Sequence, residues 1–422
     1  MGRVKTQRCS IHYGWIIVLA CFFISGGGIG ILINTLGTFI KPVSTAMGYT
    51  RAQYSMVTSL SHITAMITYP LWGWYLRKHS IRKAMLVTGA LIPMLLLGFS
   101  LCSQLWQFYL CALLLGMMTG SFSTLPVTSL VNAWFDDLRG TATGLGSCGS
   151  GLAMVMIPAV SAVITAYGWR TAYRFTGLTF FLIIEFCAIL LLRDKPQDKG
   201  LLPYRKAGTT EEIRPVWGIT RTQALKSTCF WLFLPIAFLS GACNTSITNH
   251  IYAYLTDLGF STATASVMVS LQMLFLMLSK LSLGLIFDRL GLRAGMLCSI
   301  SAYGLSAVFL FLGRVTPPVI YLGLICAGIG SALPAMSMAY TTRQLFGSRE
   351  YSANCSVVLS AVFFGNTVGT SFTGWIYDRF GSYAPAWGMV LCMSTTMGVL
   401  FFAVLSAHRR LRLTYPDIPM WH

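Results

Sequence analysis

The chain has 422 residues, 55% of them apolar and only 10% charged, with a mean hydropathy of +0.67. That excludes a water-soluble globule, which keeps about a quarter of its residues charged. The net charge of +18 would suggest nucleic acid in a soluble protein, but here it is spaced between apolar runs, and no nucleic-acid partner is expected.

Apolar runs of about 20 residues, each able to cross roughly 30 Å of hydrocarbon as a helix, follow one another from Trp15 almost to the end. Twelve spans are predicted, near 14–38, 54–76, 84–103, 106–131, 141–166, 172–192, 229–253, 264–287, 294–313, 318–341, 353–377 and 384–407. Barrel strands would need about ten residues of alternating polarity, and these runs show neither. The first run follows the basic residues Arg3, Lys5 and Arg8, but it is too long for a signal peptide and reads as a span. His62 falls in the second span and Glu185 in the sixth. Asn244 and Asn249 fall in the seventh, which His250 ends, and Asn366 lies in the eleventh. Most of the twelve cysteines lie inside spans without ligand spacing, so free thiols are expected, with no metal and no cofactor.

An even number of spans puts both termini on one face. About 23 of the 30 Lys and Arg then share that face, against six (Lys41, Arg51, Arg170, Arg174, Arg314 and Arg379) opposite. By the positive-inside rule both termini are expected in the cytosol, with the chain multi-pass in the cell membrane, a bacterial inner or plasma membrane. The surplus charge would also favour anionic lipid.

The sequence repeats at an offset of 211. GYTRAQYSMVTSL (48–60) lies over GFSTATASVMVSL (259–271), Gly73 over Gly284, Arg82 over Arg293 and Phe135 over Phe346. Ordered matches at one offset indicate a duplicated six-helix unit. The expected domains are an N-terminal bundle (1–192), a linker rich in charge, Pro and Gly (193–227), and a C-terminal bundle with a short tail (228–422). The expected fold is therefore an all-α membrane protein of twelve transmembrane helices in two pseudo-symmetric six-helix bundles, with a substrate held between the halves.

GLIFDRLGLR (284–293) resembles the loop signature Gly-x-x-x-Asp-Arg-x-Gly-x-Arg of the major facilitator superfamily. The resemblance implies a conformational latch built from Gly284, Asp288, Arg289 and Arg293, with Arg82 in the other copy, where Arg77 replaces the acid. YGWIIVLACFF, RGTATGLGSCGSG (139–151), DKPQDKGLLP (194–203) and TRTQALKSTCFWL (220–232) are similar to the bacterial relatives of monocarboxylate transporters and the oxalate–formate antiporter group. That resemblance implies a small carboxylate substrate, moved with protons or in exchange for another carboxylate.

Lys280 carries the strongest chemical signal. It sits eight residues before Asp288, roughly 12 Å from the helix end. An ammonium there costs about 2.5–3.5 kcal/mol unless it faces a cavity and finds a partner; the competing reading is snorkelling of its stem to the interface. The resembling family has its carboxylate-binding Arg shortly before Ser-x-Gly, and SKLSLGL (279–285) sets Lys280 there. Leu276 stands where animal relatives have a proton-carrying Asp, and the eleventh span offers Asn366 and no second cation. One cation suits one carboxylate. Asn34 and Thr35 lie near a substrate-linked Lys of those relatives, and with Asn244, His250 and Asn366 complete the expected substrate-binding set. For each, an interhelical hydrogen bond is the competing reading. His62 and Glu185 are weighed as proton carriers against structural roles.

The expected function is secondary transport of a small monocarboxylate (lactate, pyruvate or formate) by proton symport or anion exchange through alternating access, in a monomer. Alternatives are a multidrug or organic-solute exporter and a transporter-like receptor without flux. No convergent catalytic cluster argues for an enzyme. A reporter active only in the cytosol should work after His422 or inside 205–215 and fail near Asp257 or Arg314. Activity at the latter two positions would overturn this topology.

Overall fold

The computed structural model describes residues 12–205, 218–347 and 349–414. The basic start, the centre of the linker and the last eight residues lie outside these. Ten described stretches are long and apolar enough to cross a membrane. One of them, Thr141–Leu191, breaks at Gly168, whose φ of 81° favours glycine. The helix Arg51–Lys78 crosses as well. Its lower hydropathy comes from side chains such as Ser55, Thr58, Ser59 and His62, which are buried in protein. Among the described residues twelve spanning helices result, each with its backbone hydrogen-bonded within itself as hydrocarbon requires.

They are α1 (Tyr13–Met47), α3 (Ile81–Leu101), α4 (Leu105–Trp134), α7 (Thr228–Asp257), α8 (Thr262–Phe287), α9 (Arg289–Leu312) and α10 (Val319–Phe346). With these stand α2 (Arg51–Lys78), α11 (Tyr351–Phe380) and α12 (Ala384–Thr414), and the two arms of the broken stretch, α5 (141–167) and α6 (169–191). Tyr13 and Thr414 lie on one face, called the near face below; Met47 and Asp257 lie on the distal face. Several helices outrun their apolar cores. The first was expected to end at 38 and runs to Met47 through Lys41 and Pro42. Apolarity marks only the hydrocarbon crossing, and the backbone stays helical beyond it.

Buried apolar residues form one cluster through α1–α6 and another through α7–α12, to which Ala153 and Ile157 of α5 also belong. The described ends of the linker dock at repeat-related places. Tyr204 donates its N–H to Trp134 O at 2.8 Å and bridges Phe135, while Ile219 N donates to Phe346 O at 3.0 Å. Phe135 and Phe346, matched by the repeat, are both fully buried.

The bundles meet along α5 with α8 and α2 with α11. A methyl on Gly151 would lie 2.6 Å from Met277 Cβ, and one on Gly374 3.1 Å from Ala52 Cα. Within the first bundle, Gly149 lets α5 touch α1: a Cβ there would fall 1.8 Å from Phe22 O. Gly149→Ala should therefore lower stability by about 1–3 kcal/mol through overpacking against rigid backbone, read as a lower unfolding temperature in detergent. Gly388→Ala, where a Cβ meets nothing within 4 Å, should leave that temperature unchanged or raised.

Candidate functional site

A cavity of about 700 Å³ opens between the bundles and runs from Lys280 toward the near-face residues Arg349, Glu350 and Tyr351. Ser25 of α1, Thr124 and Asn132 of α4, Ser147 of α5 and Tyr340 of α10 share its wall. Another hollow, of about 720 Å³, lies between α5, α8 and α10, lined mainly by apolar side chains such as Met154, Val267 and Leu274. The first is the better candidate, because of these two only its wall carries cations.

Lys280 is 4% exposed. Its Nζ donates to Ser150 Oγ at 2.6 Å and to Ser147 O at 3.3 Å. The side chain thus reaches across the bundle interface to α5 and does not run along α8 to the near face, contrary to the snorkelling reading. Ser147 and Ser150 belong to RGTATGLGSCGSG (139–151), which the sequence singles out by its family resemblance and not by its serines. The Asn34 amide approaches the same place, with Nδ2 at 3.5 Å from Ser150 O and 3.7 Å from Met273 Sδ. Ser150 therefore joins α1, α5 and α8.

The remaining expected residues lie elsewhere in this state. Thr35 is fully buried and its hydroxyl returns to Ile31 O of its own helix. Asn244 Oδ1 accepts from the Tyr303 hydroxyl at 3.2 Å, which ties α7 to α9. Asn249 donates to Thr370 Oγ1 at 2.9 Å. His250 is fully buried near the distal face, with Nε2 at 2.9 Å from Thr370 O and Nδ1 at 3.4 Å from the Tyr383 hydroxyl. A carbonyl can only accept, so Nε2 carries the proton. Asn366 stays closer to the expectation: it is 9% exposed and its Oδ1 has no partner among the described residues. His62 Nδ1 and Glu185 Oε1 are likewise buried without a partner.

Of the latch residues, Arg82 holds α3 to the end of α6, donating to Ala188 O at 2.8 Å and Ile189 O at 2.9 Å. Gly284 is not pressed by a neighbouring helix; a Cβ there would meet only Met336 Cε, at 3.5 Å. Arg289 and Arg293 are exposed, and the side chain of Asp288 lies outside the description.

The expectation of a single cavity cation needs correction. Arg343 and Arg349 line the same cavity as Lys280, with Glu350 beside them. Their depth differs. The Met336 methyl reaches Gly284; Arg343 follows Met336 by about two turns toward the near face, whereas Lys280 precedes Gly284 by about a turn on the inner side. Arg343 was missed because it falls beyond the expected end of its apolar run at 341.

Residues 18–271 and 236–417 match the profile of the Major Facilitator Superfamily. The chain belongs to that superfamily. It is a transport protein and not an enzyme. Monocarboxylate transporter 12 of Xenopus laevis is 21% identical over 90% of this chain and 87% of its own length. The oxalate:formate antiporter of Oxalobacter formigenes is 22% identical over 80% of each chain. A variant of the nucleoside transporter NupG shares the fold with a TM-score of 0.71 at 15% identity, covering 93% of this chain and 99% of its own. Superfamily membership agrees with the expected twelve-helix fold.

The Lys280–Ser150 bond should behave as a coupled pair. Ser150→Ala leaves a buried ammonium short of an acceptor and should cost about 1–3 kcal/mol. In a Lys280→Met background the same change should cost almost nothing. Equal losses of unfolding temperature in both backgrounds would refute the coupling.

Proposed function

We propose that this chain carries a small monocarboxylate such as lactate, pyruvate or formate through the membrane by alternating access, driven by protons or by an exchanged anion. The observation that carries the reading is Lys280: a buried ammonium at the inner end of the interbundle cavity, held among the described residues by a hydroxyl and a carbonyl. Neither acceptor is charged, so a carboxylate arriving there gains a full ion pair in a medium of low dielectric. Asn34, bound to the same serine, and Asn366, with its free carbonyl, are proposed to orient the substrate. Asp288, Arg289, Arg293 and Arg82 are proposed to latch the near face, which the distribution of Lys and Arg assigns to the cytosol. The printed names of the relatives, monocarboxylate and oxalate:formate carriers, agree with an anionic solute.

The depth of the cavity cations bears on size. The backbones of Lys280 and Arg343 are about three turns of helix apart along the membrane normal, which favours a solute that places a single carboxylate at Lys280. Three cations against one acid also disfavour an organic cation.

Proteoliposomes should take up labelled lactate faster than a dicarboxylate of similar size, and should not take up a quaternary ammonium dye. Dye uptake without lactate uptake would establish the exporter reading, and ligand binding without any flux the receptor reading. Lys280→Ala and Lys280→Gln should abolish lactate uptake while the protein still inserts, since removing the charge eases insertion by about 1–2 kcal/mol. Lys280→Arg should retain part of it. Uptake by the Ala variant within about a factor of two of wild type, under 0.5 kcal/mol, would remove Lys280 from the site.

A further inference from the structure

The distal face is shut by a group that looks like a ligand in its own binding site. Arg51, at the start of α2, presents two nitrogens to the two carboxylate oxygens of Asp257 at the end of α7: Nη1 to Oδ2 at 2.6 Å and Nη2 to Oδ1 at 2.9 Å. Lys41 of α1 adds a third bond, Nζ to Oδ1 at 2.8 Å, and also donates to Thr256 Oγ1 at 3.0 Å. A fork of two parallel N–H bonds with a lysine beside it is how proteins recognise a carboxylate. The guanidinium is further fixed by the Tyr377 ring, 3.8 Å away, and by the Tyr383 hydroxyl at 2.8 Å. Asp378 engages the backbone next to it, accepting from Arg51 N at 3.2 Å and Ala52 N at 2.8 Å.

Every acid here belongs to the second bundle, and both cations to the first. The first 135 residues contain no Asp or Glu at all. Within the first bundle the acids are Asp136 and Asp137, past the near-face end of α4, and Glu185, in the near-face half of α6. Arg170 and Arg174, the other distal cations of that bundle, are held by Cys102 O at 3.3 Å and Ser100 Oγ at 3.1 Å. When the bundles part at the distal face, Asp257, Asp378, Tyr377 and Tyr383 leave together. Lys41 and Arg51 then remain as adjacent cations with no acid of their own bundle in reach, already spaced for a carboxylate.

We infer that Lys41 and Arg51 form a carboxylate-binding site at the distal entrance, and that Asp257 occupies this site from the opposite bundle while the entrance is closed. This rests on the carboxylate reading above. A solute carboxylate arriving from the distal side would replace Asp257 on the same nitrogens, which holds the entrance open while the solute passes inward toward Lys280. Substrate and closure compete for one pair of cations.

That competition separates the inference from a simple ion-pair lock. In a lock, either partner's removal frees the entrance alike, so Asp257→Asn and Arg51→Gln should shift the KM for distal-side lactate in the same direction. If Asp257 is a competitor, Asp257→Asn should lower that KM and Arg51→Gln or Lys41→Gln should raise it, each by about threefold or more, the scale of a partly exposed ion pair. Right-side-out and inverted membrane vesicles give the distal and near sides separately, and the near-side KM should change little. Shifts of the same sign would overturn the inference.

A second readout needs no transport. A membrane-impermeant succinimidyl ester should acylate Lys41 faster in Asp257→Asn than in wild type, as read by peptide mass spectrometry. Sodium lactate, substituted for equimolar sodium chloride, should slow that reaction, but not when Arg51→Gln is added. Wild-type protein that moves no lactate would refute the proposed function, whereas Lys41 acylation indifferent to lactate would refute the distal site.

Discussion

Hydrocarbon supplies no hydrogen bonds, so every polar atom carried into it must find a partner inside the protein. Almost everything in this molecule follows from that constraint. It makes the backbone helical across twelve spans, turns Ser59 of α2 toward the neighbouring bundle, where its hydroxyl donates to Thr367 O, and directs Lys280 to the acceptors of α5. The nearest acceptors lie on α5, across the bundle interface, so the need of a single ammonium becomes a tie between bundles. Ser150 is the node. Its hydroxyl accepts from Lys280 while its carbonyl lies within reach of Asn34. Anything that relieves Lys280 of Ser150 also loosens α8 from α5.

The two ends of the interface solve the same problem with different chemistry. At the level of Lys280 the partners are neutral, and the contact is short of negative charge. At the distal face they are fully charged and only partly screened, with Arg51 at 11% and Asp257 at 22% side-chain exposure. Behind Arg51 the Tyr383 hydroxyl can donate onward to His250 Nδ1. Burial pushes the Tyr383 hydroxyl above the usual phenol range, so it keeps its proton for that bond. His250 thereby joins the distal closure to the backbone of α11 at Thr370, a role its isolated position at the end of an apolar run gave no reason to expect.

How much could be read beforehand depended on the range of each interaction. Span number was legible because bilayer thickness fixes the length of an apolar run. The repeat was legible at Phe135 and Phe346 because both linker ends need the same docking surface. Lys280 stood out because a cation amid Leu and Met has few explanations. Its partner did not, since serines occur in nearly every span and no spacing distinguishes Ser150 from its neighbours. Arg343 and Lys41 were lost for a common reason: both sit on helical turns that continue beyond the hydrocarbon, where composition no longer reports structure. The pairing of Arg51 with Asp257 joins residues 206 positions apart, and only a fold can bring them together. Thr35 and Asn244 are polar residues of spans whose partners the sequence does not reveal: the carbonyl of a preceding turn for one and a tyrosine on another helix for the other.

Where α5 meets α8, Gly151 offers bare backbone to the stem of Met277. Methionine is unbranched, with three rotatable bonds and a soft sulfur, and it fills irregular space at little cost in strain. Against a glycine it has no ridge to climb. The joint therefore behaves as a lubricated bearing: the helices can slide or tilt past one another while the thioether re-forms its contacts continuously. Interlocked β-branched side chains at this height would turn the same contact into a ratchet, with discrete stops and friction between them.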